Sequence, residues 1–164
     1  MTTVNFKGTP INISGDLPAV GSKAPAFSLR STSLQDEDGS SFPGRKLLLN
    51  IFPSVDTGIC AQSVRTFNEK AAGRDDVAVL CVSADLPFAH KRFCGAEGIE
   101  NVHSLSTFDS SFAEDYGLKM LGGPLRGCLA RAIVVLGADG TVLYTELVPE
   151  IVQEPDYDAA LAAL

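Results

Sequence analysis

The sequence predicts an α/β protein with one central mixed sheet flanked by helices and an added N-terminal β-hairpin. Three observations point there. The run Lys46 to Phe52, ended by Pro53, and the run Val77 to Val82 are continuously apolar in the manner of strands covered on both faces. Each leads into a segment with helix-start signals. Later, Ala132 to Leu136 and Thr141 to Val148 surround Asp139-Gly140, a strong signal for an antiparallel pair.

Taken in order, Val4-Asn5-Phe6 and Ile11-Asn12-Ile13 alternate apolar and polar residues around Gly8-Thr9-Pro10, which predicts the N-terminal hairpin. From Pro18 to Gly44 the chain is rich in Gly, Pro, Ser and acidic residues, and a surface excursion is expected with a brief strand at Ala26 to Leu29. A helix carrying Cys60 follows the first buried strand. The second strand runs into Asp85-Leu86-Pro87, where Asp can cap a helix and Pro fits its first turn. Gly95 stands as the C-terminal cap of that short helix. Asp109 to Tyr116, closed by Gly117, predicts a further short helix, and the tail from Pro155 to Leu161 a terminal one. No internal repeat or low-complexity segment interrupts this order, which is that of a thioredoxin-like fold. Many functions share such a fold, so it settles none of them.

With 164 residues, 45% of them hydrophobic, the chain can bury one good core, and residues 1–164 are read as a single domain. The net charge of −7, from 13 basic and 20 acidic residues without a local Lys/Arg cluster, argues against nucleic acid or an anionic membrane as partner. The start has no apolar run behind a basic end, and no segment approaches the roughly 18 apolar residues of a membrane span. A cytoplasmic location is therefore expected, and there a disulfide among Cys60, Cys81, Cys94 and Cys128 would be transient rather than structural. These cysteines are widely spaced without a C-x-x-C, and the only histidines are His90 and His103. Structural zinc requires clustered ligand pairs, so a metal site is not expected.

Cys60 lies just past the end of a buried strand, where open α/β sheets place their sites, and in the first turn of the following helix. The free N–H groups and positive dipole end there favour a thiolate, the nucleophilic form of cysteine. Helical spacing also puts Cys60 on one stripe with Val64, Phe67 and Ala71, so an inert core cysteine is the competing reading. Thr57 can hydrogen-bond a thiolate or a peroxide oxygen, or simply cap the helix. Pro53 can shield the sulfur from water or merely stop the strand. Arg131 shares strand parity with Ile133 and Val135, which aims its cation at an apolar layer unless it snorkels past the sheet edge. A buried cation needs a partner, and a thiolate would be one.

Pro53-x-x-x-Thr57-x-x-Cys60 with a later strand arginine resembles the peroxiredoxins. Further segments, Ser83-Ala84-Asp85-Leu86-Pro87-Phe88-Ala89, Arg92-Phe93-Cys94, Gly98 to Val102, Ala130-Arg131-Ala132 and Glu154-Pro155-Asp156-Tyr157, are similar to the bacterial thiol peroxidase subfamily, of the atypical two-cysteine type. The resemblance spans essentially the whole chain. It implies a thioredoxin fold, a homodimer, hydrogen peroxide and organic hydroperoxides as substrates, thioredoxin as reductant, and no metal, haem or flavin cofactor. By matching position it makes Cys60 the peroxidatic cysteine, Cys94 the resolving cysteine that forms a disulfide with Cys60, and Pro53, Thr57 and Arg131 the peroxide-activating pocket.

Cys128 departs from that pattern, as a buried apolar filler or an off-pathway oxidation site, while Cys81 among apolar strand residues reads as a core cysteine. Two other functions compete. One is a hydrolase or acyltransferase in which His90 or His103 activates Cys60, although no motif supports that pairing. The other is a redox-sensing binding protein that reacts with peroxide without turnover.

Overall fold

The computed structural model describes residues 2–71 and 73–164. The chain opens with β1 (Thr3–Phe6) and β2 (Thr9–Asn12), paired antiparallel with Val4 opposite Ile11 and Asn5 opposite Pro10. The reversal falls on Lys7 and Gly8, both at positive φ, rather than on Gly8-Thr9-Pro10. Two left-handed centres give a turn that follows the twist of the strands it joins, which frees Thr9 and Pro10 to enter the second strand.

The stretch from Pro18 to Gly44 contributes more than one brief strand. It holds β3 (Leu29–Ser31), β4 (Asp36–Glu37) and a short 3₁₀ turn at Gly39–Ser41 capped by Asp38. The strand begins at Leu29 and not at Ala26, because it is Arg30 and Ser31 that find backbone partners in Ser106 and Leu105. An edge strand is held by its ladder more than by apolar faces, which is why the sequence pattern understates it.

Next come β5 (Lys46–Ile51), α1 (Gly58–Lys70), β6 (Val77–Ser83), α2 (Pro87–Glu97) and β7 (His103–Ser106), with β5, β6 and β7 parallel. The strand β7 has no counterpart among the sequence expectations. Its four residues include His103 and two serines, so no apolar run marks it. The antiparallel pair β8 (Ala132–Leu136) and β9 (Val142–Leu147) completes one sheet of order β4-β3-β7-β6-β5-β8-β9.

Helix α2 and the short helix that follows it depart from expectation at their ends. Helix α2 runs through Gly95 and stops at Gly98, whose φ of 66° ends the helix and turns its N–H toward the Cys94 carbonyl. Asp85 does not cap it: Leu86 holds the N-cap position without a side-chain bond. The helix α3 is also shorter, Phe112–Asp115 rather than Asp109 to Tyr116, since Asp109 takes a positive φ that no right-handed helix admits. The last helix, α4 (Tyr157–Ala162), is capped by Asp156, whose carboxylate accepts from the Ala159 N–H.

Strand alternation divides the interior into two layers. Leu47, Leu49, Ile51, Leu80, Val82, Ala132 and Val134 face the N-terminal hairpin and α3, whereas Leu48, Phe52, Val77, Val79, Cys81, Ile133 and Val135 face α1, α2 and α4. The hairpin is docked by the segment after β9. Asn5 donates to Pro149 O at 2.8 Å and accepts from the Ile151 N–H at 2.8 Å, and Glu150 receives the Gly8 N–H. Among the described residues no helix is long and apolar enough to cross a membrane.

Gly117 follows α3 at φ 68°, and a Cβ there would stand 2.5 Å from the backbone N and O of Asp16. Gly117→Ala is expected to lower stability by about 2 kcal/mol or more, because both the dihedral and the close backbone approach forbid a side chain. Urea denaturation with an unchanged midpoint would contradict this.

Candidate active site

Pro53 ends β5 by removing a ladder donor, and the next residues turn into α1 with Thr57 at the N-cap in extended conformation. Cys60 therefore stands in the first helical turn, fully buried, on the stripe with Val64, Phe67 and Ala71. Pro53 is buried, while Thr57 is exposed. The Thr57 side chain leaves the helix N–H groups free and donates instead to Ser54 O at 3.2 Å.

Arg131, immediately before β8, is only 1% exposed. Its strand parity carries it to the α1 side of the sheet, where Nη2 donates to the Cys60 sulfur at 3.2 Å. Nε donates to Ile151 O at 3.0 Å, which fixes the plane of the guanidinium, and Nη1 is buried without a partner. A buried cation is costly unless compensated. Here a sulfur and a carbonyl supply part of that compensation, and the Nη1 group remains unpaired.

Cys94 is on α2, half-buried, with its sulfur 3.1 Å from the Ser104 hydroxyl on β7. Burial pushes this thiol up, and the Ser104 bond opposes the shift. The structure does not bring Cys94 to Cys60: all four cysteines are free. The two helices stand over different strands, since Ser63 of α1 bonds Asn50 on β5 and Cys94 bonds Ser104 on β7. Two strand spacings separate those anchors, about 10 Å, beyond the roughly 7 Å Cα reach of a disulfide. A concavity of about 380 Å³ opens at Cys94, lined also by Thr32, Lys91, Ile99 and Glu100.

Cys81 faces the same layer beneath α1, and burial pushes its thiol up to about 12. Cys128 is half-buried and is also raised, by burial first and then by Asp85 and Cys60 nearby. His90 is buried and bonds Ser83, and His103 packs its ring against Phe42. Among the described residues the polar partner of the Cys60 sulfur is Arg131, not a histidine.

One supporting residue is not legible in the sequence pattern. Asp85, expected as a helix cap, accepts from the Ser54 hydroxyl at 2.8 Å, from the Val55 N–H at 2.9 Å, and from the Ser83 hydroxyl. It thereby pins the loop before Cys60 to the end of β6. The available signal was its position just past a buried strand, next in the sheet to the strand that leads to Cys60.

Fold and site together define a thioredoxin-like protein with a buried cysteine at a helix N-terminus facing a buried arginine. A redoxin family model matches residues 19–161. The thiol peroxidase of Mycobacterium tuberculosis is 62% identical over 164 residues, which cover 100% of this chain and 99% of that protein. That of Corynebacterium glutamicum is 56% identical over the same coverage. A crystal structure of a peroxiredoxin-like protein from Aquifex aeolicus superposes with a TM-score of 0.93 at 38% identity, covering 99% of this chain and 96% of that one. The chain belongs to the redoxin family and, within its peroxiredoxins, to the thiol peroxidases.

Asp85→Ala would leave the Val55 N–H and the Ser54 hydroxyl without their acceptor. A loss of about 2 to 3 kcal/mol is expected in urea denaturation, with Asp85→Asn recovering part of it. Equal stability of the alanine variant and the wild type would show that the loop is held otherwise.

Proposed function

We propose that this chain is a thiol-dependent peroxidase whose reaction is carried by Cys60 and completed by Cys94. The observation that carries the reading is the buried Arg131 guanidinium, 3.2 Å from the Cys60 sulfur, with a second donor still open. The Cys60 thiolate attacks one oxygen of the peroxide bond, that bond breaks, and the other oxygen leaves as alkoxide or hydroxide and takes a proton. Arg131, joined by Thr57 once its hydroxyl turns from the Ser54 carbonyl, stabilises the charge that develops on the departing oxygen, and Pro53 keeps water from the sulfur. The products are an alcohol or water and a Cys60 sulfenic acid.

Cys94 then attacks the sulfenic sulfur, forming the Cys60–Cys94 disulfide and releasing water. The helices must first rearrange, and α2 is the element to do so: at eleven residues it is marginal without packing. Its local unwinding exposes the disulfide to thioredoxin, which returns both thiols by exchange. Residues 1–164 act as one peroxiredoxin domain, working as a homodimer in the cytoplasm on hydrogen peroxide and organic hydroperoxides, without metal or organic cofactor. The acyl-transfer reading lacks a base at the sulfur, because the buried His90 is engaged with Ser83.

Arg131→Ala is expected to slow oxidation of Cys60 by peroxide about 100-fold or more, and Arg131→Lys to restore only part, since lysine keeps the charge but not the planar fork. Stopped-flow rates near wild type in the alanine variant would place the pocket elsewhere.

The cysteines separate by kinetic signature. Cys60→Ser should abolish reaction with peroxide, while Cys94→Ser should oxidise once, drift toward sulfinic acid and lose thioredoxin-coupled turnover. Cys81→Ser and Cys128→Ser should keep turning over. Coupled assays and intact mass after peroxide decide the matter: normal recycling by Cys94→Ser together with failure of Cys128→Ser would make Cys128 the resolving thiol. A chain that oxidises but never recycles with thioredoxin would be a sensor rather than a peroxidase.

A further inference from the structure

His90 is buried on α2, one helical turn before Cys94 and therefore on the same side of the helix. The proposed chemistry does not use it. Its Nε2 lies 3.0 Å from the Ser83 hydroxyl, and that hydroxyl in turn reaches the Asp85 carboxylate. Because Ser83 gives its proton to Asp85, the contact with His90 needs the imidazole to donate from Nε2. The neutral tautomer so fixed leaves Nδ1 as an acceptor, and Nδ1 is buried without a partner.

The chain of contacts joins the loop before Cys60 to the helix that carries Cys94. Asp85 holds Ser54 and Val55, the loop that delivers Cys60, and His90 holds the helix that carries Cys94. We infer that the Asp85–Ser83–His90 chain is a clasp between the peroxidatic loop and α2, and that His90 is a positioning residue whose proton uptake on leaving its place ties the opening of α2, and hence disulfide formation, to acidification. This rests on the reading of Cys60 and Cys94 as the reacting pair.

The groups facing His90 make the sign definite. From β6 comes the neutral Ser83, from the end of β5 the ring of Phe52 with its centroid 6.5 Å away, and from the β6–α2 connection Asp85, the one charge acting on His90 among the described residues. Asp85 is already engaged by Ser54, Val55 and Ser83, and Cys128 also feels its charge. On the outer surface Arg92 of α2 pairs with Asp56 at 2.7 Å, a second tie between the same two elements. Protonating Nδ1 in place would bury a charge among these groups without a new acceptor. Accordingly burial holds the His90 imidazole below its ordinary range, with Asp85 opposing the shift. Once α2 opens, the ring meets water and takes up a proton near the ordinary value of about 6.5. Acid thus favours the open form, and this contribution is absent well above that pH.

The test compares wild type with His90→Gln, which keeps a donor toward Ser83 but cannot titrate. Equilibrium of the Cys60–Cys94 pair with a dithiothreitol buffer is measured at pH 7.5 and pH 5.5, and the wild-type to variant ratio of oxidised over reduced protein is taken at each pH. That ratio is expected to rise about five- to tenfold from the higher to the lower pH. In parallel, the His90 ring protons of the wild type are titrated by NMR in both redox states. The midpoint should lie near its ordinary position in the oxidised protein and at least one pH unit lower in the reduced protein. A ratio independent of pH, or the same His90 midpoint in both states, would overturn the inference. Intact mass separates this failure from that of the parent reading: if peroxide produces no Cys60–Cys94 disulfide, the assignment of the reacting pair falls, and the clasp with it.

Discussion

A guanidinium with almost no access to water is the constraint around which this protein is organised. Burying Arg131 is unfavourable unless its donors find acceptors, and the fold provides them from distant parts of the chain: the Cys60 sulfur from α1 and the Ile151 carbonyl from beyond β9. Each partner has its own supports. The loop before Cys60 hangs from Asp85, and the segment holding Ile151 is tied on one side to Arg131 itself, through the Val148 N–H, and on the other to Asn5. The Cys60 sulfur is therefore positioned by a frame rather than by its own helix alone.

The frame is closely packed on one side of the sulfur and open on the other. Cys60 lies in a layer packed from both the sheet and α4, whereas Cys94 sits at the rim of that layer with a hydroxyl partner and a concavity beside it. Such a contrast suits chemistry in two stages: the first needs a preorganised cation and a dry wall, and the second needs one partner to travel. Gly98, which ends α2 just beyond Cys94, also supplies a left-handed joint about which the end of that helix can be redirected.

Much of this was legible in the residues. The buried strands β5 and β6 announce themselves as apolar runs, the parity of Arg131 with Ile133 and Val135 gives its side of the sheet, and the stripe through Val64 and Phe67 gives that of Cys60. Elements held mainly by backbone ladders were not legible: β7, with His103 and two serines, and the edge strands β3 and β4 carry too few apolar residues to show a period. Gly95 misled because a glycine marks a helix end only where the chain turns left-handed, and it is Gly98 that does so. Asp85 has the composition of a helix cap but spends its carboxylate across the sheet, which local sequence cannot reveal. The Ile151 carbonyl, being backbone, leaves no signature at all.

The bracket between the first strand and residues 149–151 bears on how the chain is made. Asn5 leaves a ribosome long before its two partners, at residues 149 and 151, are made. Domains fold largely as their chains emerge, so a nascent chain can assemble β5, α1 and β6 while still lacking Ile151. In that interval the arginine has no carbonyl to fix its plane, and the sulfur has no settled cation. The pairing of Cys60 with Arg131 is thus completed only after residues 149–151 have been made and have met the first strand.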